Sequence, residues 1–111
     1  MRNALIVGNT TRLDTNWVPF EIEKAVDEYK IPIIATYTFC AVAVRSPSAL
    51  SDYWPPALNV RINNGTANVI HVPFKQAPLH DAIDQFSHDN LPNGLGLGVY
   101  NDAAYLKWGI P

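Results

Sequence analysis

The stretch NWVPFEI (residues 16–22) decides the predicted fold, because it has the pattern of an amphipathic helix start. Asn16 can cap a helix, as can Asp14 or Thr15, and Pro19 is tolerated in a first turn whose N–H groups lack intrahelical partners. The predicted helix covers residues 18–29. At 100° per residue, its apolar stripe consists of Val18, Ile22, Ala25, Val26 and Tyr29.

Two apolar segments flank this helix and predict a βαβ unit. Residues 4–7 have the pattern of a short buried strand, and residues 31–37 that of a second strand bounded by Pro32. Strands joined in this way are parallel, with a crossover that is almost always right-handed. Because ligands favour the carboxyl ends of such strands, we expect residues 8–16, which follow the first strand, at the ligand-binding edge.

The rest of the chain continues the α/β pattern. Residues 69–72 predict a third strand, and residues 78–86 an amphipathic helix whose stripe is Leu79, Ala82, Ile83 and Phe86. Residues 40–67 are rich in turn formers, which predicts irregular structure around one short strand or helix. The alternate glycines of residues 94–98 do not match a phosphate-binding fingerprint, so we expect an edge segment there. The tail is expected to cover part of the core with Tyr105, Leu106, Trp108 and Ile110.

The composition limits the class of protein to which the chain can belong. With 111 residues, 48% of them hydrophobic and 16% charged, the chain is predicted to form a single domain over residues 1–111. No apolar run is long enough to span a bilayer, and the scattered Lys and Arg residues exclude a nucleic-acid patch. A start at Met1 without a signal-peptide core, together with the single Cys40, predicts a cytoplasmic protein with a buried structural thiol.

Other kinds of catalytic or metal site find little support in the sequence. The three histidines, His71, His80 and His88, show no zinc-ligand spacing, so no metal site is predicted. His80 and His88 are expected to face solvent. The serines of residues 46–51 lack a nucleophile elbow, which argues against a serine hydrolase.

Glu21 is the candidate catalytic residue, because it is a carboxylate at the edge of an apolar stripe, between Trp17 and Ala25. An acid in a first helical turn also complements the helix dipole, by about 0.3–1 kcal/mol, and periodicity alone favours that structural role. The surrounding order of strand, W-V-x-x-E-I helix and I-P-I-I strand, however, resembles TIR domains. The similarity covers about the first 38 residues and is greatest to bacterial TIR-like proteins of the Thoeris anti-phage system.

The resemblance implies a function for Glu21. In catalytic TIR domains, the glutamate of this helix acts on NAD⁺ at the bond between nicotinamide and ribose, where cleavage builds positive charge on the ribose. A carboxylate about 4 Å away would attract that charge by roughly 4 kcal/mol at an effective dielectric of 20. NAD⁺ is then a substrate, no cofactor is implied, and the product is ADP-ribose or a cyclic ADP-ribose-type signal in anti-phage defence.

Four further residues are candidates for substrate binding. Trp17 can stack on a ring of the substrate or seal the helix against the sheet. Asn9, Thr10 and Thr11 can donate hydrogen bonds to ribose or phosphate, or form a turn.

The chain also departs from the TIR pattern, since the first strand and first helix of the family have no counterpart in it. We therefore expect the C-terminal portion of a flavodoxin-like, TIR-like three-layer sandwich with an incomplete central parallel sheet. The missing strand would come from a second copy or another chain. The alternative function is a non-catalytic TIR-like interaction module that assembles with another chain. A third option is a nucleoside-handling enzyme whose glutamate attacks a ribosyl carbon.

Overall fold

The computed structural model describes residues 5–9, 22–37, 40–54, 56–87 and 89–111, with residues 5–9 described as backbone. Four strands form one parallel sheet in the order β1-β2-β3-β4. They are β1 (Leu5–Asn9), β2 (Ile33–Tyr37), β3 (Val69–Pro73) and β4 (Gly98–Val99). Every residue of β2 and β3 is buried, as expected for central strands covered on both faces.

Helices cover both faces of the sheet. They are α1 (Lys24–Glu28), which is π-helical, α2 (Pro56–Asn63), α3 (Gln76–Gln85) and α4 (Asp102–Trp108). Two 3₁₀ segments, Pro47–Tyr53 and Leu95–Leu97, precede α2 and β4. The α/β class, the parallel sheet and the three layers predicted from the sequence are therefore confirmed.

The core consists of two clusters, one on each face of the sheet. On the first face, side chains of α1 and α2 pack against alternate residues of β2, including Ile33 and Tyr37. On the second face, Ala82 of α3 and Phe86 pack against Ile34 of β2. The connection from β2 to β3 runs through α2 on the first face, and the connection from β3 to β4 runs through α3 on the second face. Because the strand order is sequential, these two crossovers have opposite handedness, so one of them departs from the right-handed rule.

The predicted stripe of the first helix is confirmed in part. Ile22, Ala25 and Val26 are buried, but Tyr29 is 45% exposed. The backbone N–H of Tyr29 donates to the carbonyl of Lys24 at 2.8 Å, a bond that spans five residues instead of four. The extra residue in this turn rotates Tyr29 away from the stripe that an α-helical period predicts.

The remaining predictions are confirmed in part. Residues 40–67 contain one short helix, α2, as the sequence allowed, together with a 3₁₀ segment. Ile83 of α3 is exposed, and Cys40 is only partly buried, which corrects both predictions of burial. The tail forms α4, a helix that was not predicted, and on it Tyr105 is buried as expected whereas Leu106 is 82% exposed.

An ion pair on the surface links α1 and α2. The guanidinium of Arg61 in α2 binds the carboxylate of Asp27 in α1 through two hydrogen bonds, with Nη2–Oδ2 and Nε–Oδ1 distances of 2.6 and 3.2 Å. This two-point ion pair joins the two helices that cover the first face.

No helix in the described ranges combines the length and apolar character needed to cross a bilayer.

The glycines of residues 94–98 permit close backbone packing, and they fit the predicted edge segment because β4 is the outer strand there. A Cβ on Gly98 would lie 2.5 Å from the carbonyl oxygen of Asn93 and 2.6 Å from that of Val69. A Cβ on Gly96 would lie 3.0 Å from the Cα of Ile62. Any larger residue at position 98 must therefore push two backbone segments apart.

We expect Gly98→Ala to lower the free energy of unfolding by about 1–3 kcal/mol, because the added methyl group meets backbone that cannot rotate away. Urea unfolding followed by circular dichroism measures this loss. Leu97→Ala is the matched control, since Leu97 is 45% exposed and its truncation creates no clash. Equal stability of Gly98→Ala and the wild type would contradict the described position of β4.

Candidate functional site

The candidate site lies at the carboxyl edge of β1 and β2. Asn9 is the last residue of β1 and pairs in register with Tyr37, the last residue of β2. Asn9 thus lies at the edge where the sequence predicts ligand binding, although its side chain is outside the description. Thr10, Thr11, Trp17 and Glu21 lie outside the described residues, so their roles stay predictions.

The helix that follows Glu21 in sequence is anchored firmly. Ile22 and Glu23 are helical and lead into α1, and Ile22 is completely buried in the cluster on the first face. Glu23, one residue further, is exposed. In a β-helix-β crossover the helix runs opposite to the strands, so this helix starts on the side of the sheet where β1 ends.

A chain of hydrogen bonds crosses the core beneath this edge. The indole Nε1–H of Trp54 donates to the hydroxyl oxygen of Tyr37 at 2.9 Å. The Tyr37 hydroxyl is 2.7 Å from Nδ1 of His71, whose Nε2 is 2.8 Å from the carbonyl oxygen of Gly96. These contacts join Trp54, β2, β3 and the 3₁₀ segment before β4. We call these four residues the buried polar chain.

The donors and acceptors of the buried polar chain fix the tautomer of His71. A carbonyl oxygen only accepts, so the proton of the imidazole is on Nε2 and is donated to Gly96. Nδ1 is then free to accept the hydroxyl proton of Tyr37, while the Tyr37 oxygen accepts from Trp54. Every polar atom of the three side chains has a partner, which is the condition under which such groups can be buried.

Burial keeps these groups neutral. Desolvation lowers the pKa of His71 to about 4, against a smaller opposing effect of its bond to Gly96. Desolvation also raises the pKa of Tyr37 far above its ordinary value, despite the bond from Trp54. The His71 ring is fully buried and lies beside the rings of Tyr37 and Trp54, at centroid distances of 6.0 and 5.8 Å, which is the environment of a structural histidine.

The other residues considered from the sequence are dispersed in the structure. His80 is exposed, as predicted, and His88 lies outside the described residues. Within the described ranges, no group of three or more His, Cys, Asp or Glu side chains could hold a metal ion. The Cys40 thiol donates to the carbonyl oxygen of Val42 at 3.2 Å. No sequence pattern indicated the buried polar chain, because its bonded neighbours are 17 to 34 residues apart in the sequence.

Comparisons with protein-family models, with curated proteins and with solved structures returned no match for this chain. The likeness to TIR domains therefore rests on its strand, helix and strand residues alone.

The stability of the protein is expected to fall between pH 6.5 and about pH 4. In this window the unfolded chain protonates His71 whereas the folded chain does not, so the unfolded state binds more protons and acid favours it. The full difference in the pKa of His71 between the two states corresponds to a loss of about 3 kcal/mol in the free energy of unfolding, at roughly 1.4 kcal/mol per pH unit. Proton NMR of the His71 ring should show a neutral Nε2–H tautomer at pH 5.

His80→Gln is the control for this pH effect, since it removes an exposed histidine and leaves the buried polar chain intact. A His71 ring that titrates near pH 6.5 in the folded protein would contradict the buried neutral form.

Tyr37→Phe is expected to destabilise the protein, because it removes one hydroxyl and leaves both Trp54 Nε1–H and His71 Nδ1 without a partner. Each buried group left unpaired costs about 1–3 kcal/mol. Urea unfolding measures the loss. Tyr29→Phe is the matched control, since Tyr29 is largely exposed, and it should change stability little. Equal effects of the two substitutions would contradict the buried polar chain.

Proposed function

We propose that this protein is a TIR-like NAD⁺-processing enzyme of bacterial anti-phage defence, with Glu21 as its catalytic residue. The proposal joins two independent lines of support. One is the resemblance carried by the residues W-V-x-x-E-I and I-P-I-I in their strand–helix–strand order. The other is the architecture of the described residues, a parallel sheet with helices on both faces.

The observation that carries the proposal is the anchoring of the helix directly after Glu21. Ile22 is completely buried against the sheet, and β1 and β2 pair in parallel over five residues on each side of the crossover. Catalysis by charge stabilisation requires a carboxylate that does not reorganise during the reaction. A helix packed against the sheet directly after Glu21 supports that requirement, while the position of Glu21 itself lies outside the described residues.

The chemistry requires few groups. The bond between C1′ of the ribose and the nicotinamide nitrogen breaks, and its electron pair leaves with the neutral nicotinamide. The positive charge that remains on the ribose is attracted by the Glu21 carboxylate. Water then adds at C1′ and gives up a proton, which Glu21 accepts, so that ADP-ribose forms. An internal nucleophile of the same molecule gives a cyclic product instead.

The proposed binding residues would hold the rest of the substrate. Trp17 would stack on a ring, and Asn9, Thr10 and Thr11 would donate hydrogen bonds to ribose or phosphate oxygens. The π-helical turn of α1 adds support, since such turns are rare and are frequently found at functional sites.

A non-catalytic interaction module is the second candidate function. It is favoured by apolar side chains that the described structure leaves exposed around β4 and α4, with Leu95 at 58% and Leu106 at 82%. Where such groups form one continuous patch, a partner commonly covers them. The partner would be a second copy of the chain or another protein, and any strand that it adds would pair at β1, the other end of the described sheet.

Glu21→Gln should abolish NAD⁺ consumption by the purified protein, with a loss of about 100- to 1,000-fold, because the amide keeps the shape but not the charge. Nicotinamide release measured by liquid chromatography follows the reaction. Glu23→Gln is the matched control, since it removes an exposed carboxylate two residues away and should keep full activity.

Two outcomes would decide against the enzyme. Equal activity of the Glu21→Gln variant and the wild type would remove Glu21 from catalysis. A wild-type protein that is folded by circular dichroism and consumes no NAD⁺, alone or in complex with a partner chain, would favour the interaction module. The solution mass of the 12.3 kDa chain tests the assembly that this alternative requires.

A further inference from the structure

A cavity of about 460 Å³ lies on the second face of the sheet, between α3, β4 and α4. Its size falls within the range of small-molecule sites, about 300–1,000 Å³. It lies on the face of the sheet opposite to α1, the described helix of the crossover between β1 and β2. The side chains that matter to its chemistry are Phe86, Tyr100 and Trp108 together with Asp81, Asn93 and Lys107.

Three aromatic rings form one wall of the cavity. Tyr100 is at the centre, with its ring centroid 5.0 Å from that of Trp108 and 6.3 Å from that of Phe86. Tyr100 and Trp108 meet edge to face at 83°, so the two ring planes form a corner. Both are only partly buried, which leaves ring surface on which a flat ligand can stack.

A carboxylate is held at this aromatic corner. The hydroxyl of Tyr100 donates to Oδ2 of Asp81 at 2.7 Å. Burial and this hydrogen bond raise the pKa of Tyr100, which keeps the hydroxyl protonated and donating. Oδ1 of Asp81 makes no hydrogen bond within the described ranges and can accept one from a ligand N–H.

A positive charge lines the same cavity. Lys107 is exposed, and its Nζ lies 5.8 Å from the ring centroid of Trp108. Among the described contacts it forms no ion pair with Asp81. The cavity thus offers an acceptor that is partly buried and a cation that is exposed, and neither neutralises the other.

The amide side chains at the cavity supply both donor and acceptor groups. Nδ2 of Asn90 donates to the carbonyl oxygen of Gln85 at 2.7 Å, so its Oδ1 stays available as an acceptor. Oδ1 of Asn101 caps α4 by accepting from the N–H of Ala104 at 2.9 Å, so its Nδ2 stays available as a donor. Asn93 adds a further amide.

From this arrangement we infer that the cavity binds a nucleoside monophosphate. Its base would stack at the corner of Tyr100 and Trp108, with an N–H donating to Asp81, and its phosphate would face Lys107. A flat heterocycle edged with donors and acceptors matches the aromatic rings and amides. A ligand whose base is neutral and whose other end is anionic matches the separated charges of Asp81 and Lys107.

Two other ligand classes fit less well. A cationic ammonium at the aromatic corner would be repelled by the positive charge of Lys107, whose Nζ lies 5.8 Å from the ring centroid of Trp108. A neutral sugar would satisfy Asp81 and the amides but would leave Lys107 without a counter-charge. The nucleotide is the ligand that uses all three kinds of group.

Titration of ¹⁵N-labelled protein with AMP, adenosine, methyl glucoside and inorganic phosphate tests the inference. We expect AMP to give a saturable shift of the Trp108 indole N–H signal, which Trp108→Phe identifies by its loss. Asp81→Asn should weaken AMP binding about tenfold, since a hydrogen bond to a charged group is lost. Asp84→Asn is the matched control, because Asp84 lies exposed on the same helix and does not line the cavity.

Lys107→Gln is a second test, which does not require the Asp81 variant to fold, because Lys107 is exposed. It should weaken the binding of AMP and leave that of adenosine unchanged. The inference is overturned if AMP causes no saturable shift at millimolar concentration, if methyl glucoside binds as well as AMP, or if Lys107→Gln affects AMP and adenosine equally. AMP has no nicotinamide bond to cleave, and Trp108 and Lys107 line this cavity, so the readouts at these two residues do not depend on whether Glu21 catalyses NAD⁺ cleavage.

Discussion

The hydrogen bonds from Trp54 through Tyr37 and His71 to Gly96 are the constraint on which the rest of the fold depends. They connect the two central strands to the segment that leads into β4, in a region where water is excluded. A buried phenol and a buried imidazole are costly unless every polar atom is paired, so the chain stabilises one arrangement of these elements only. Any shift of register between β2 and β3 would break the bond between Tyr37 and His71 and leave both side chains without that partner.

The same constraint supports both regions to which we assign ligands. Tyr37 ends β2 directly beside Asn9, so the fixed phenol ring holds the carboxyl edge at which Glu21 is proposed to act. Gly96, at the other end of the buried polar chain, lies two residues before the start of β4, and Tyr100, which lines the cavity, directly follows the end of β4. The two proposed sites thus depend on a common core, although they lie on different parts of the sheet.

The sequence predicted the elements that have a clear hydrophobic period. Strands β2 and β3 appear close to their expected places because a short continuous apolar run is typical of a strand buried on both faces, and α3 does so because of its 3.6-residue stripe, although Ile83 of that stripe is exposed. The exposure of Tyr29 was missed because a π-helical turn has no sequence signature. Helix α4 was missed although its signals are present, since Asn101 caps its start and Gly109 ends it in a left-handed conformation. The buried polar chain and the cavity depend on side chains far apart in sequence, which no local pattern relates.

The shortness of β4 bears on how the molecule behaves at high concentration. An outer strand with a long row of unpaired N–H and C=O groups invites another chain to add to the sheet, which is a common start of aggregation. Here β4 pairs over only two residues, Gly98 and Val99, before the chain turns into α4. A strand that approached this edge could pair with only these two residues, which is too few to hold it. The geometry of β4 thus protects that side of the sheet against polymerisation.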